Sequence, residues 1–156
     1  MDVGLTQIQM RLVDYRNSLF KEGILDSLYL ELQELQDESD PDFVLETTSL
    51  FFANSEKLLN DLSSELAQQN VDLKRLDAQV HRLKGSSSSI GASRVQNACI
   101  ALRDFCREKN IPECLRCLQQ LKLEFLLVKS KLETLFELEK QVMAAGGSIP
   151  KTKPSD

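Results

Sequence analysis

Residues 73–90, with the sequence LKRLDAQVHRLKGSSSSI, contain the pattern that decides the fold. Apolar or small residues recur along this stretch at spacings of three and four, the period of an α-helix with one buried face. The stripe consists of Leu73, Leu76, Val80, Leu83, Ser87 and Ile90. Asp72 can cap the start of the helix, and at Gly91 the backbone can turn without a Cβ penalty. The stretch therefore predicts one amphipathic helix.

Stretches of the same period lie on both sides of it. We expect further helices near residues 3–20, from Asp26 to Leu35, from Asp40 to about 68, from a Ser93/Gln96 capping box to about 109, and from Pro112 to about 144. Short connections make successive helices antiparallel neighbours. The sequence therefore predicts an all-α fold, an up-down antiparallel four-helix bundle with two additional N-terminal helices laid against one end.

The domain organisation follows from composition. Residues 1–145 are expected to form one domain, and residues 146–156, GGSIPKTKPSD, a disordered C-terminal tail. The net charge of −5 opposes nonspecific binding to nucleic acid or anionic membranes. No apolar stretch approaches the roughly 20 residues that span a bilayer. The lack of a targeting segment favours the cytoplasm, and so small a protein could also enter the nucleus. A monomer is expected.

Four cysteines lie in the C-terminal half of the chain, at positions 99, 106, 114 and 117. Four such residues could bind zinc, and 114 and 117 form a C-x-x-C pair. Structural zinc sites place two close pairs on turns, whereas these residues fall within predicted helices. We interpret them as reduced cysteines packed like small apolar residues, and expect no metal site.

His81 is the single histidine of the chain. At about 100° per residue it falls about 130° from the centre of the apolar stripe, which predicts an exposed imidazole. Lys84, Gly85 and Ser88 flank it on the same wheel. Lysine can neutralise a phosphoryl dianion, serine can donate a hydrogen bond to it, and the missing side chain gives a partner room to approach. Asp77, one turn earlier, could orient the ring or merely solvate the face.

Antiparallel geometry adds two arginines. With the turn centred near residue 92, the level of His81 on the returning helix is residue 103. Arg103 stands there, and Arg107 follows one turn later. They could form an anion-attracting rim around His81, or a solvated pair that serves no such role.

The segment 81–92, HRLKGSSSSIGA, resembles the histidine-containing phosphotransfer (HPt) proteins, especially the plant type of cytokinin-responsive multistep phosphorelays. The histidine, the lysine three residues on, the glycine four residues on and the serine run carry the resemblance. Similarity extends through residues 25–26, 35–37, 41–44 and 105–106, so it covers most of residues 1–145. Arg82 stands where many relatives have glutamine, and we interpret it as tuning partner choice. Some plant relatives lack the histidine and act as inhibitors, which the presence of His81 disfavours.

The resemblance implies a phosphocarrier rather than an enzyme. His81 would accept a phosphoryl group from the receiver domain of a hybrid histidine kinase and donate it to a response-regulator aspartate. No cofactor is expected in this chain, since the Mg²⁺ of the reaction belongs to the receiver domain, and no glycine-rich nucleotide loop suggests ATP binding. The docking surface is implied around the histidine and the early helices. We expect Leu25 and Leu28 to be exposed there with Arg82 and Arg107, although both leucines could instead pack their helix against the bundle.

Two other functional classes stay open. A structural helical adaptor would use the same bundle with an incidental His81. A zinc module would use the four cysteines and bind stoichiometric metal.

Overall fold

A computed structural model describes residues 3–150 of the chain. The helices are α1 Val3–Lys21, α2 Ser27–Glu34, α3 Phe43–Leu66, α4 Leu73–Ser89, α5 Ser93–Arg107 and α6 Ile111–Ala144. Within residues 3–150 the only β pairing is an isolated bridge between Asp37 and Asp40. The all-α prediction is confirmed. None of the helices in this described range is long and apolar enough to cross a membrane.

Helices α3 to α6 form the bundle: α4 packs between α3 and α5, and α6 closes the ring against α5 and α3. Their leucine stripes meet in a core that excludes water, which is the main stabilising contribution to such a fold. An aromatic cluster joins α3 to α6, with ring centroids of Phe51 and Phe52 each 6.2 Å from that of Phe125. The fully buried leucines of the bundle include Leu62, Leu76, Leu83, Leu102, Leu118, Leu121 and Leu132.

The two N-terminal helices are held by α6 and α4. At about 1.5 Å per residue α6 is roughly 50 Å long, so it extends past the shorter α4 and α5. Helix α1 covers the extension, and the Tyr15 hydroxyl donates to the Lys131 carbonyl at 3.0 Å. Helix α2 packs on α4, where the amide of Asp26 donates to the carbonyl of Gly91 at 2.9 Å.

Among the helices whose N-cap residue the structure describes, α2, α4 and α6 are capped by the side chain of that residue. Asp26 accepts a hydrogen bond from the amide of Leu28, Asp72 from that of Arg75, and Asn110 from that of Glu113. The predicted caps of the second and fourth helices are therefore confirmed.

Two predicted starts are wrong. Helix α3 begins at Phe43 rather than after an Asp40 cap, because Asp40 is held in a turn by the carboxylate of Asp37. The side-chain oxygen of Gln36 instead accepts a hydrogen bond from the amide of Val44 at 3.0 Å. The Ser93 capping box does not form either, since Ser93 is already helical.

Ser93 has a different role. Its hydroxyl donates to the Gly23 carbonyl at 2.8 Å, which ties the start of α5 to the α1–α2 connection. Helix α5 ends at Arg107, two residues before the predicted end, and Lys109 takes a positive φ of 58°.

Part of the expected tail contacts α1. The side-chain amide of Gln9 donates to the carbonyl of Ser148 at 2.9 Å, and Ile149 packs partly against the core. The remaining tail residues, 151–156, lie outside the described residues.

Candidate functional site

His81 lies on the solvent side of α4, and its imidazole is exposed. Its neighbours in the apolar stripe, Val80 and Leu83, are 0 % exposed. Burial of those side chains fixes the rotation of the helix about its axis, so the histidine must face outward. The prediction from the helical wheel is confirmed.

The two ring nitrogens of His81 differ in their surroundings. Nη1 of Arg103 lies 2.8 Å from Nδ1. A guanidinium can only donate, so Nδ1 must be the acceptor. Nε2 has no hydrogen-bond partner within residues 3–150, and it is the ring nitrogen left open to an incoming group.

Arg103 is held in turn by Asp77. Nε of the guanidinium lies 2.9 Å from Oδ1 of Asp77, and Nη2 lies 3.4 Å from Oδ2. The two side chains are only 17 % and 32 % exposed. This two-point pairing fixes the plane of the guanidinium and leaves Nη1 directed at the ring.

The pairing shifts both groups toward their charged forms. The hydrogen bond from Arg103 lowers the pKa of Asp77, against a smaller opposing effect of burial. The same bond raises the pKa of Arg103. The cluster of Asp77, Arg103 and His81 is therefore a carboxylate, a cation and an imidazole joined in one chain. The sequence placed Arg103 at the correct level but left the role of Asp77 open.

The residues after His81 leave space beside the ring. Lys84 is half-buried, and its ammonium forms no hydrogen bond or ion pair with any other residue of the described range. Gly85 is exposed, and a Cβ built on it would meet no atom of the described residues within 4 Å beyond the adjoining turns of its own helix. A lysine whose ammonium has no partner in the described range and an open backbone surface thus lie one helical turn after the imidazole.

Most hydroxyls of the serine run, residues 86–89, form hydrogen bonds with backbone carbonyls of their own helix. The hydroxyls of Ser86, Ser87 and Ser89 donate to carbonyls three or four residues earlier. Ser88 makes no such bond within residues 3–150, but it lies seven residues from His81, about 10 Å along the helix. Its predicted contact with the phosphoryl group stays a prediction.

The expected docking residues separate into two groups. Arg82 is exposed, and Arg107 is 64 % exposed and pairs only loosely with Asp104, at 3.7 Å. The expectation that Leu25 is exposed is wrong: it is 1 % exposed, because this residue of the α1–α2 connection belongs to the buried core. Leu28 is half-buried.

The cysteines are free thiols within the helices. Three are buried and Cys117 is partly exposed. The Sγ atoms of Cys106 and Cys114 lie 3.9 Å apart, and burial raises the pKa of the Cys106 thiol to about 12. Such thiols are protonated at neutral pH and pack as apolar groups. In residues 3–150 no three His, Cys, Asp or Glu side chains are grouped to hold a metal ion.

Comparison with known proteins agrees with this geometry. Residues 46–141 match the family model described as the Hpt domain. Histidine-containing phosphotransfer protein 1 of Arabidopsis thaliana is 60% identical over 148 residues, which cover 95% of this chain and 96% of the relative. The chain belongs to the histidine-containing phosphotransfer family.

Other HPt proteins support the same assignment. Histidine-containing phosphotransfer protein 5 of Arabidopsis thaliana is 50% identical over 95% of both chains. The crystal structure of an HPt protein from Medicago truncatula superposes with a TM-score of 0.85 at 45% identity, covering 90% of this chain and 96% of that one. This HPt protein is therefore a phosphocarrier of the plant multistep phosphorelay, and its partners are receiver domains.

Proposed function

We propose that His81 carries the phosphoryl group on Nε2. It receives the group from an aspartyl phosphate in the receiver domain of a hybrid histidine kinase and gives it to an aspartate of a response regulator. The observation that supports this most strongly is the exposed ring whose Nδ1 is engaged by Arg103 while Nε2 has no partner in the described range.

The transfer needs no net redox change. As a phosphoryl oxygen takes over the N–H of Arg103 Nη1, the ring proton passes through solvent from Nε2 to Nδ1. The lone pair that this exposes on Nε2 forms the bond to phosphorus as the P–O bond to the aspartate breaks, and that electron pair stays on the departing carboxylate. One proton leaves the ring to solvent, so the product is a neutral imidazole bearing a phosphoryl dianion. Acyl phosphate and phosphoramidate are both reactive enough for exchange in either direction, and the protein contributes position and charge.

Two cations lie within the same surface. Arg103 contacts the ring directly, and the unpaired Lys84 is one turn after it on α4. As the phosphoryl group arrives, the ammonium of Lys84 can swing toward its oxygens and neutralise the added charge. Gly85 leaves the receiver domain room to bring its aspartate within bonding distance.

The metal and the nucleotide belong to other proteins in this scheme. Mg²⁺ would be held by the acidic residues of the receiver domain, and this chain would bind no ATP and would not phosphorylate itself. Each turnover then begins and ends with a protein partner. We assign Arg82, Leu28 and Arg107 to the rim that the receiver contacts.

The cellular setting proposed here is cytokinin signalling, with the protein moving as a monomer between cytoplasm and nucleus. A mobile carrier suits a relay that begins at a sensor kinase and ends at response regulators. The family resemblance supports this setting.

The test is transfer of labelled phosphate from a purified, phosphorylated receiver domain. The wild-type protein should gain label, whereas His81→Gln should stay blank with an unchanged helical circular dichroism spectrum. Arg75→Gln, an exposed change on the same helix, is the matched control and should be labelled like the wild type. Equal labelling of His81→Gln would refute the proposal, and full biological activity of that variant would favour the adaptor role.

A further inference from the structure

The guanidinium of Arg103 divides its donors between two acceptors. Nε and Nη2 pair with Asp77, and Nη1 donates to Nδ1 of His81. Asp77 lies four residues before His81 on α4, while Arg103 reaches across from α5. The carboxylate thus fixes the arginine, and the arginine fixes the imidazole. The inference that follows rests on the proposed role of His81.

The contact determines which nitrogen of the ring can carry a proton. Arginine has no lone pair and keeps its charge, so it cannot accept a hydrogen bond from an Nδ1–H group. While Nη1 stays in place, Nδ1 presents its lone pair and any ring proton is on Nε2. When a phosphoryl group occupies Nε2, the ring has no proton at all.

That protonation state matters for the lifetime of the P–N bond. Hydrolysis is fast when Nδ1 takes a proton, because water then attacks phosphorus and the P–N electron pair returns to Nε2. The products are a neutral imidazole with its proton on Nδ1 and dihydrogen phosphate. A donor that occupies the Nδ1 lone pair competes with that proton.

We propose that Asp77 is a positioning residue that acts through Arg103 to keep Nδ1 of phosphorylated His81 unprotonated, and so extends the life of the phosphohistidine. Nη1 stays in place with the rest of the guanidinium, and what changes during transfer is the acceptor of its N–H. An incoming receiver phosphoryl group offers it a second acceptor, which releases Nδ1 for transfer. Asp77 meanwhile keeps its two bonds to Nε and Nη2.

The surroundings favour a stable Asp77–Arg103 pair. Both side chains are mostly covered, where an ion pair is screened less by water and salt than on the open surface. The charged and titratable groups that act on the pair come from α4 and α5. Arg107 and His81 help to lower the pKa of Asp77, and Asp104 and Cys106 help to raise that of Arg103. The carboxylate of Asp77 therefore stays ionised throughout the range of pH 5 to 8 in which the lifetime of the phosphohistidine is measured below.

The experiment measures loss of phosphate from protein labelled with phosphoramidate, a small donor that needs no receiver domain. Rates are followed from pH 5 to 8 for wild type, Asp77→Asn, Arg103→Ala and Arg103→Lys. We expect each variant to lose phosphate about tenfold faster, with the rate rising from a higher pH, since a charge-assisted hydrogen bond is lost. Arg94→Ala is the matched control, because it removes the other arginine of α5 that pairs across helices, with Glu124 of α6. Its rate should equal that of the wild type.

Two outcomes would overturn the inference. If Asp77→Asn keeps the wild-type lifetime, Asp77 does not position Arg103. If Arg103→Lys keeps it, charge alone protects the bond and the two-point pairing is irrelevant. A wild type that gains no label on His81 from either phosphoramidate or a phosphorylated receiver domain would instead refute the proposed function. In that case imidazole ¹⁵N spectra of the unphosphorylated protein still test the contact. Asp77→Asn must then increase the fraction of His81 rings that carry a proton on Nδ1.

Discussion

Gly85 lies one helical turn after His81 on the exposed side of α4, and apart from the adjoining turns of α4 a Cβ at Gly85 would meet no atom of residues 3–150 within 4 Å. The glycine is therefore not required by packing inside the protein. It is also unfavourable for the helix, since glycine costs about 1 kcal/mol relative to alanine in a helix interior. Neither helix stability nor internal packing explains a glycine at this position. We therefore infer that it is needed for the approach of a partner protein.

Substitution of Gly85 should therefore separate stability from transfer. Gly85→Ala is expected to raise the free energy of unfolding by up to about 1 kcal/mol, and Gly85→Leu to slow phosphotransfer from a receiver domain while the protein stays folded. Urea unfolding and transfer kinetics on the same samples check this. Normal kinetics for Gly85→Leu would show that the receiver does not approach across this surface.

Lys84 tests the contribution of charge. Lys84→Ala should slow phosphotransfer about tenfold without changing the thermal midpoint, because the ammonium has no partner to lose within the described range. Lys84→Arg keeps the charge and should retain most of the rate. Identical kinetics for alanine and wild type would remove Lys84 from the site.

Gly91 and Gly23 form a matched pair for stability. Both have a positive φ, 79° and 72°, but a Cβ at Gly91 would lie 2.6 Å from the backbone nitrogen of Tyr29, whereas one at Gly23 meets nothing. Gly23→Ala should lower the free energy of unfolding by about 1 kcal/mol, the conformational strain alone. Gly91→Ala should lower it by about 3 kcal/mol, since α2 must also shift away from α4. Chemical denaturation compares the two. Equal losses would contradict the packing of α2 described above.

Glu139 predicts a pH dependence of stability. Burial raises the pKa of its carboxyl to about 7, although the Arg16 guanidinium partly opposes the shift. Its unfolded value is near 4.3, so the folded state binds the proton more tightly than the unfolded state does. This stabilisation is complete below about pH 4 and is lost as pH rises to about 7.

Glu139→Gln should remove that pH dependence, and the exposed Glu137→Gln should keep it. Thermal midpoints between pH 4.5 and 8 give the comparison. A wild-type midpoint that rises steadily across this range, with the same slope in Glu139→Gln, would contradict the assignment.

The sequence was sufficient for the parts of the molecule that depend on periodicity. The apolar stripe of α4 determines the direction of His81, and the short turn at Gly91 determines that Arg103 lies at its level. Both results follow from helical geometry, which needs only residue spacing.

The parts that were missed depend on contacts between elements. Asp77 has the same wheel position whether it faces water or an arginine of the next helix, and only the rotation of α5 decides. The exposure of Leu25 was expected from the family's docking surface, and the structure follows the alternative, in which this leucine packs into the core. Asp40 resembled an N-cap, but Asp37 holds it in a local turn, and the first turn of α3 is satisfied by Gln36, whose bond to Val44 spans eight residues and follows no local pattern.

The central claim is that one ring nitrogen of His81 carries the phosphate. The most direct measurement is ³¹P NMR, supported by mass spectrometry under neutral conditions, on protein phosphorylated by a receiver domain. We expect a single phosphoramidate signal from the Nε2-phosphohistidine isomer, located at residue 81. Phosphate on Nδ1 of that ring, or on a serine of the run 86–89, would contradict it.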